Sequence, residues 1–401
     1  MKTRPIVIIG GGFAGVRAAL ELDRLLGGDL EQPIYLINPT PYHTYTPRFF
    51  DVLSSPTPHV ATILFEEIFE RTSVHVFAEE VTHIDVHDKV VITEKRRLPY
   101  ADLVLAVENQ PWPDTDKQAE YGSMLTCNDL ADILATRTKI LHACTLAAHT
   151  KQKHTVMVIG GGIHGVEFMA GLRSFFGSDA DPRRSPITFV LAEAEKRILP
   201  TYREQLSDVV AKYLLDHGVS LKLKSRATPE ELRKHLKSIG AKNHTVVWAV
   251  GMQAHPVVAK CTGVPHDASG RVEVLSSLQV RTHDDIWAGG DSAAVANNQS
   301  MNGSVAHGRH IARGIVARRA GFVPAAYVPT AKADIIQLAP NMAVTWSRAG
   351  IHEGTFPVWK KRLRDLRYFL SILPPQTAFR YWQRLAEVTH EAGAVCYRLR
   401  D

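Results

Sequence analysis

The chain carries the same glycine-rich strand–turn–helix twice, and that repetition limits its architecture more than any other feature. "PIVIIGGGFAGVRAALELDRLL" (5–26) reads as a buried strand, a tight turn and an amphipathic helix, and "HTVMVIGGGIHGVEFMAGLRSFF" (154–176) repeats the order. In Gly10-x-Gly12-x-x-Gly15 and Gly160-x-Gly162-x-x-Gly165 each glycine has a separate task. The first permits the turn, the second lets a diphosphate approach the backbone, and the third allows helix and strand to pack closely. The helix N-terminus then offers unpaired N–H groups to the anion. One such motif is weak evidence, because packing alone also selects glycine. Two copies in strand–turn–helix context point to a pair of dinucleotide-binding units.

Each unit is followed by a second strand candidate, "PIYLIN" (33–38) and "PITFVLAE" (186–193). An acid at the end of that strand hydrogen-bonds the adenosine ribose. Glu193 fills this place in the second unit, where a carboxylate favours NADH and repels the extra phosphate of NADPH; a solvated strand-end glutamate is the plainer reading. In the first unit the place belongs to Asn38, whose amide can bond a ribose without charge assistance.

Alternating strands and helices give an α/β class with parallel sheets. Residues 74–107 read as a β-meander with a turn at His87-Asp88, returning to the buried strand "DLVLAV". "NQPWPDTD" (109–116) is a crossover candidate, and "HTVVWAVG" (244–251) and "DIWAGGDSAA" (285–294) supply later strands. The expected division is a discontinuous domain of 1–112 and 280–325, an inserted domain of 113–279, and a C-terminal α+β subdomain of 326–401.

The net charge of +6 suits anionic cofactors or a weak membrane-surface preference and is too diffuse for nucleic acid. Cys127, Cys144, Cys261 and Cys396 form no close pair, so neither a local redox disulfide nor a zinc knuckle is suggested. No metal site is expected. No apolar run reaches the roughly 18 residues of a spanning helix. A cytoplasmic protein, either free or peripheral on the membrane face, is expected.

In this order the motifs resemble the two-dinucleotide-binding-domain flavoproteins of the pyridine nucleotide-disulfide oxidoreductase superfamily. Within it they are most similar to the type II NADH:quinone oxidoreductases. "VIIGGGFAGVRAA" resembles that family's FAD-binding turn, "YHTYTP" (42–47) its following loop, and "VIGGGIHGVE" its NADH-domain turn with Glu167. "VVWAVGMQAHP" (246–256) resembles the closing strand of the NADH domain, and the segment ending "DIWAGGDSAA" the return to the FAD domain. The resemblance implies FAD and NADH as cofactors and hydride transfer from NADH through flavin to a quinone-like acceptor. It implies two Rossmann-like domains, the second inserted in the first. It assigns cofactor binding to Gly10, Gly12, Gly15, Asn38, Ala106, Asp291, Gly160, Gly162, Gly165, Glu193 and Gly251, and a catalytic place to Glu167. A helix-start acid satisfying the helix dipole is the alternative for Glu167.

Three departures fall on the flavin and acceptor side. Asn38 replaces the acid. Glu108 in "LVLAVENQPW" stands where the family has a glycine against the cofactor, and it either crowds the diphosphate or swings outward. "MNGSVAHG" (301–308) replaces a glutamine-rich helix start, leaving Asn302, Ser304 and His307 as the polar residues. These leave two alternatives open: a flavin-free NAD(H)-binding sensor or partner protein, and a flavoprotein reductase with a non-quinone acceptor. Sulfide oxidation fits less well, because it needs cysteines acting together near the flavin.

Trp359, Leu363, Leu366, Leu370 and Leu373 share one helical face, with Lys360, Lys361, Arg362, Arg364 and Arg367 on the remainder. The region 354–373 therefore either lies on anionic lipid or packs against its own domain or a homodimer partner.

Overall fold

The strand Ile6–Ile9 is apolar at every position because it lies inside a sheet covered on both faces. It pairs in parallel with Ile34–Asn38 on one side and Asp102–Leu105 on the other. Ile286–Ala288 and Val74–Ala78 complete this five-stranded sheet at its two edges. A second five-stranded parallel sheet runs Met124–Thr126, Asn243–Trp248, His154–Ile159, Ile187–Ala192, Val219–Lys222. Its strands fall in sequence between Asp102–Leu105 and Ile286–Ala288 of the first sheet, so the second α/β unit is inserted in the first. The computed structural model describes residues 4–388 except 28–31, 55–60, 112–123, 128, 151, 177–185, 227, 239–242, 296–299, 330–334 and 348–349. The crossover expected at 109–116 is therefore seen only as far as Pro111, and Cys396 lies outside the described residues.

The meander expected over 74–107 divides in two. Val74–Ala78 joins the parallel sheet beside Ile34–Asn38, while Val81–Asp85, Val90–Thr93 and Arg97–Pro99 form a separate antiparallel sheet. Alternation along 74–78 thus reflects an edge strand with one covered face. The two chain crossings between units pair with each other, Gln110–Pro111 running antiparallel to Met252–Gln253. After that crossing, Val258, Cys261, Val264, Val272 and Val280 pack with Val7 and Ile9 in one core.

The C-terminal part is α+β, with antiparallel strands Ile335–Ala339, Met342–Ser347 and Gly350–Gly354 followed by helices Thr355–Leu370 and Pro375–Val388. Its strands give Ile336, Leu338 and Val344 to the core around Val166, Phe168 and Met169 of the inserted domain. Its first helix gives Tyr368 and Phe369, and the turn after it Ile372 and Leu373, to the core around Phe13, Val16 and Tyr45 of the first. One subdomain therefore packs on both units.

The helix Met301–Arg319 crosses Phe13–Leu26 closely, since a Cβ at Gly308 would overlap the Ala14 carbonyl. Its far end is tied to the sheet by charge. Asp102 is fully buried, and Arg318 and Arg319 each donate to it at 2.7 Å. Removing that carboxylate leaves two guanidinium groups facing each other over a buried gap. Asp102→Ala should lower stability by about 3 kcal/mol, read as a fall in the thermal or urea midpoint.

Candidate active site between the two sheets

Both glycine turns take the conformation their motif requires. Gly10 has φ +104° and Gly160 φ +115°, values that only glycine adopts without strain. A Cβ on Gly15 would overlap the Gly10 carbonyl, and one on Gly165 would overlap that of Gly160. Each helix therefore starts pressed onto the strand that feeds it.

The residues ending the second strands close these turns in the same way. Gly11 N–H donates to Asn38 Oδ1 at 2.8 Å, and Gly161 N–H donates to Glu193 Oε2 at 2.6 Å. Glu193 Oε1 also accepts the Glu195 N–H at 2.9 Å. Asn38 uses its other end to donate to the Thr40 carbonyl and hydroxyl oxygens, at 3.0 and 2.9 Å. A carboxylate could not donate to that carbonyl, so the loop after the first unit's second strand suits the amide.

The second glycines differ. Around Gly162 a Cβ would find nothing within 4 Å among the described residues. Around Gly12 it would lie 3.0 Å from Glu108 Oε1. Glu108 thus turns inward, over the glycine, and does not swing outward. Its side chain is exposed to the open space of the cavity, and the protein crowded around that space, with Asp291 and then Asp129, pushes its carboxyl up to about 7. Asp291, which accepts a hydrogen bond from the Asn109 backbone, is also raised by burial, partly offset by that bond and by His164 and Arg271.

Both turns open on one cavity of about 430 Å³, which Gly12 and Gly162 line together. Ala106, Glu108, Asp291 and Ser304 come from the first unit, and Glu167 and Tyr202 from the second. Asn109 Oδ1, on the same wall, is buried without a hydrogen-bond partner among the described residues, as an acceptor awaiting a ligand donor would be. Gly251, with φ +70°, is exposed and lies beside the cavity, whose lining residue there is Met252. Among the described residues no cluster could hold a metal.

Glu167 does not simply sit at its helix start. Its carboxylate accepts the Gln337 N–H at 2.9 Å and lies 3.9 Å from Lys361 Nζ, which also donates to Gln337 Oε1 at 2.5 Å. Lys361 is buried, which corrects its expected place on a basic outer surface. The helix Thr355–Leu370 in fact packs through Val358, Lys361, Asp365, Tyr368 and Phe369. Of the apolar face read from the spacing, Leu373 is buried, while Trp359 (59 %), Leu363 (66 %) and Leu370 (43 %) are exposed, so most of that face does not pack against its own domain. Only its contacts with the Tyr45 and His43 loop reveal this orientation.

His43, Cys127 and Tyr368 were not among the expected site residues. His43 is fully buried, with Nδ1 2.9 Å from the Gly11 carbonyl and Nε2 2.9 Å from Tyr368 Oη. Burial pushes the imidazole down to about 4, so it is neutral, with one ring N–H for Gly11 and one lone pair for the tyrosine. The "YHTYTP" loop was the only available hint of this link, since Tyr368 is remote in sequence. The Cys127 thiol lines the cavity but faces the Trp248 carbonyl, and burial pushes it up to about 12. It is a thiol and not a thiolate. His307 accepts the Gly290 N–H at 3.0 Å inside the core, so it braces the Gly289–Asp291 turn. Asn302 is exposed, and Ser304 alone of the three polar replacements lines the cavity.

The family description "Pyridine nucleotide-disulphide oxidoreductase" matches residues 4–321. A type II NADH:quinone oxidoreductase of Mycobacterium tuberculosis is 27% identical over 355 residues, spanning 81% of this chain and 74% of its own length. An NADH dehydrogenase-like protein of Bacillus subtilis, YutJ, is 25% identical over 305 residues, spanning 74% and 79%. Among solved structures, NDH2 from Plasmodium falciparum in complex with NADH superposes with a TM-score of 0.77 at 15% identity, covering 98% of this chain and all of that one. The sulfide:quinone oxidoreductase of Aquifex aeolicus superposes at 0.73 with 14% identity, covering 99% and 94%. At these identities the superpositions establish the fold.

His43 and His307, both pushed down to about 4, give stability a definite pH dependence. Between pH ~6.5 and ~4 the unfolded chain binds protons on these rings and the folded chain does not. Their contribution is therefore complete above pH ~6.5 and is lost as pH falls toward 4, by about 1.4 kcal/mol per unit for each ring. Urea unfolding across that range should show the slope, and His43→Gln should flatten it.

Proposed function

The chain belongs to the pyridine nucleotide-disulphide oxidoreductase family, and from that premise we propose that it is an FAD-dependent NADH dehydrogenase that reduces a quinone. The observation that carries this reading is the single cavity onto which both glycine turns open. A hydride can pass between two dinucleotides only where their reactive ends meet, and Gly12 and Gly162 face the same space. Relatives named type II NADH:quinone oxidoreductases span most of the chain and support the choice of acceptor.

The residues present fit the cofactors, with Glu108 as the point of contention. Gly160, Gly162 and Gly165 would take the NADH diphosphate at the open N-terminus of Ile163–Phe176, with Glu193 beside the ribose. Gly10, Gly12, Gly15, Ala106 and Asp291 would hold FAD, and Asn38 would contribute by fixing the turn. When bound, FAD supplies the hydride acceptor and the electron donor to the quinone. The protein orients the two rings and excludes water. Glu167, held by the Gln337 N–H and by Lys361 at the cavity wall, would orient the reacting groups there. In this reading residues 1–112 and 280–325 form the flavin domain and 113–279 the NADH domain, with the segment after Ala254 joining the flavin domain's core. The protonated Cys127 argues against sulfide chemistry.

No described helix is long and apolar enough to cross a membrane. Phe356, Trp359, Leu363 and Leu370 nevertheless form an exposed apolar stripe, flanked by Lys360 and Arg367. In this reading the stripe rests on anionic lipid at the cytoplasmic face; a homodimer contact is the competing occupant. A second reading, a flavin-free NAD(H)-binding protein, draws on the Glu108 carboxyl lying over Gly12.

The purified protein should be yellow, and anaerobic NADH should bleach its visible absorption; a colourless protein that FAD cannot reconstitute would sink the flavin reading. Glu193→Ser should raise the KM for NADH roughly tenfold and narrow its preference over NADPH. Binding to anionic vesicles should fall in Leu363→Glu with NADH oxidation by a soluble quinone retained.

A further inference from the structure

The two glycine turns offer an internal comparison. They share the positive-φ first glycine, the close third glycine and the capped middle N–H. They differ at the second glycine, the one whose missing side chain lets a diphosphate reach the backbone. The space is open at Gly162 and is taken at Gly12 by the Glu108 carboxyl.

We propose that Glu108 makes occupancy of the first dinucleotide site proton-linked: the FAD diphosphate seats against Gly12 only with the Glu108 carboxyl neutral. This rests on the flavin reading above. A carboxylate and a diphosphate placed together over Gly12 repel, and a diphosphate seated there displaces the water that otherwise reaches the exposed carboxyl. A neutral carboxylic acid has the opposite effect, because its O–H donates to a diphosphate oxygen.

The surroundings favour that switch. Asp291 faces Glu108 from the Gly290–Ser292 turn, and Asp129 adds a second negative charge from the segment before the helix Leu130–Thr150. Tyr368 senses Glu108 from the C-terminal helix, and His164 and Glu167 line the cavity from the inserted domain. Arg271 and His164 act on Asp291, while the influences on Glu108 itself all favour the neutral acid. The carboxyl, already pushed up to about 7, changes charge within the physiological range. Among the described residues nothing comparable faces Gly162, so nucleotide binding at the second site should lack this dependence.

The test is the FAD dissociation constant from pH 5.5 to 8.5, read by release of flavin fluorescence, for the full chain, Glu108→Gln and Glu108→Gly. NADH affinity, measured in parallel, reports that the inserted domain is folded. In the unaltered protein FAD should bind tightly at low pH and weaken by roughly tenfold per pH unit above 7. Glu108→Gln, which keeps a donor without a charge to lose, should bind tightly with a flat profile. Glu108→Gly should also be flat. If all three proteins bind FAD with the same profile, the proposal is overturned and the flavin reading stands. If none binds FAD at any pH while all bind NADH, the flavin reading falls and the proposal with it.

Discussion

Everything in the site hangs on how closely two helices approach the strands that feed them. With no Cβ at Gly15 or Gly165, the helix backbone rests on the carbonyl of Gly10 or Gly160. That contact fixes where each helix begins and therefore where its unpaired N–H groups point. It also leaves the middle-glycine N–H inside the turn, where it must find an acceptor. Asn38 and Glu193 are those acceptors. The strand-end residue, usually considered for what it offers a ribose, is here first a part of the turn. An amide satisfies that duty as well as a carboxylate does, which is why the fold survives the exchange at position 38.

In the first unit the turn is tied further outward. The Gly11 carbonyl meets His43, His43 meets Tyr368, and Tyr45 donates to Asp365 one turn earlier on the same C-terminal helix. Phe13 stands edge-on to His43, Tyr45 and Tyr368. Arg17 adds hydrogen bonds to Ser371 at the end of that helix. In the second unit, Glu167 and Lys361 make the corresponding connection to the same helix. The C-terminal subdomain thus grips both helices whose N-termini face the cavity, and the relative placement of the two dinucleotide units depends on it.

Much of this was legible in the sequence because it is local. The glycine turns and the strands preceding and following them follow from short motifs, while the role of Ile286–Ala288 as the return strand and the insertion of one unit in the other came from the family resemblance. What was not legible depends on contacts across the chain. The spacing of Trp359, Leu363 and Leu370 marks a face but not whether it is covered, and the helix buries its other side because Asp365 and Tyr368 have partners in the loop at 43–45. Val74–Ala78 alternates like a meander strand, and only its pairing with Ile34–Asn38 places it in the parallel sheet. The direction of Glu108 could not be read either, since a departure from a motif says where a side chain starts and not where it ends.

The orientation of the last helix has a consequence for how the site relates to its surroundings. An amphipathic helix ordinarily buries its apolar face, because roughly 25 cal/mol per Å² rewards removing that surface from water. Here the inner face carries Lys361 and Asp365, both buried and both bonded, and the outer face carries Phe356, Trp359 and Leu363 at 59–66 % exposure. Among the buried Val358, Tyr368 and Phe369 of that inner face, the two charged groups are kept because each has a partner it would otherwise strand: Asp365 for Tyr45, Lys361 for Gln337 and Glu167. Inverting the helix would cover the stripe but leave those partners unsatisfied next to the cavity. The inner face thus wins on two counts, the burial of Val358, Tyr368 and Phe369 and the pairing of Lys361 and Asp365, and the second apolar stripe is displayed to the exterior as the result.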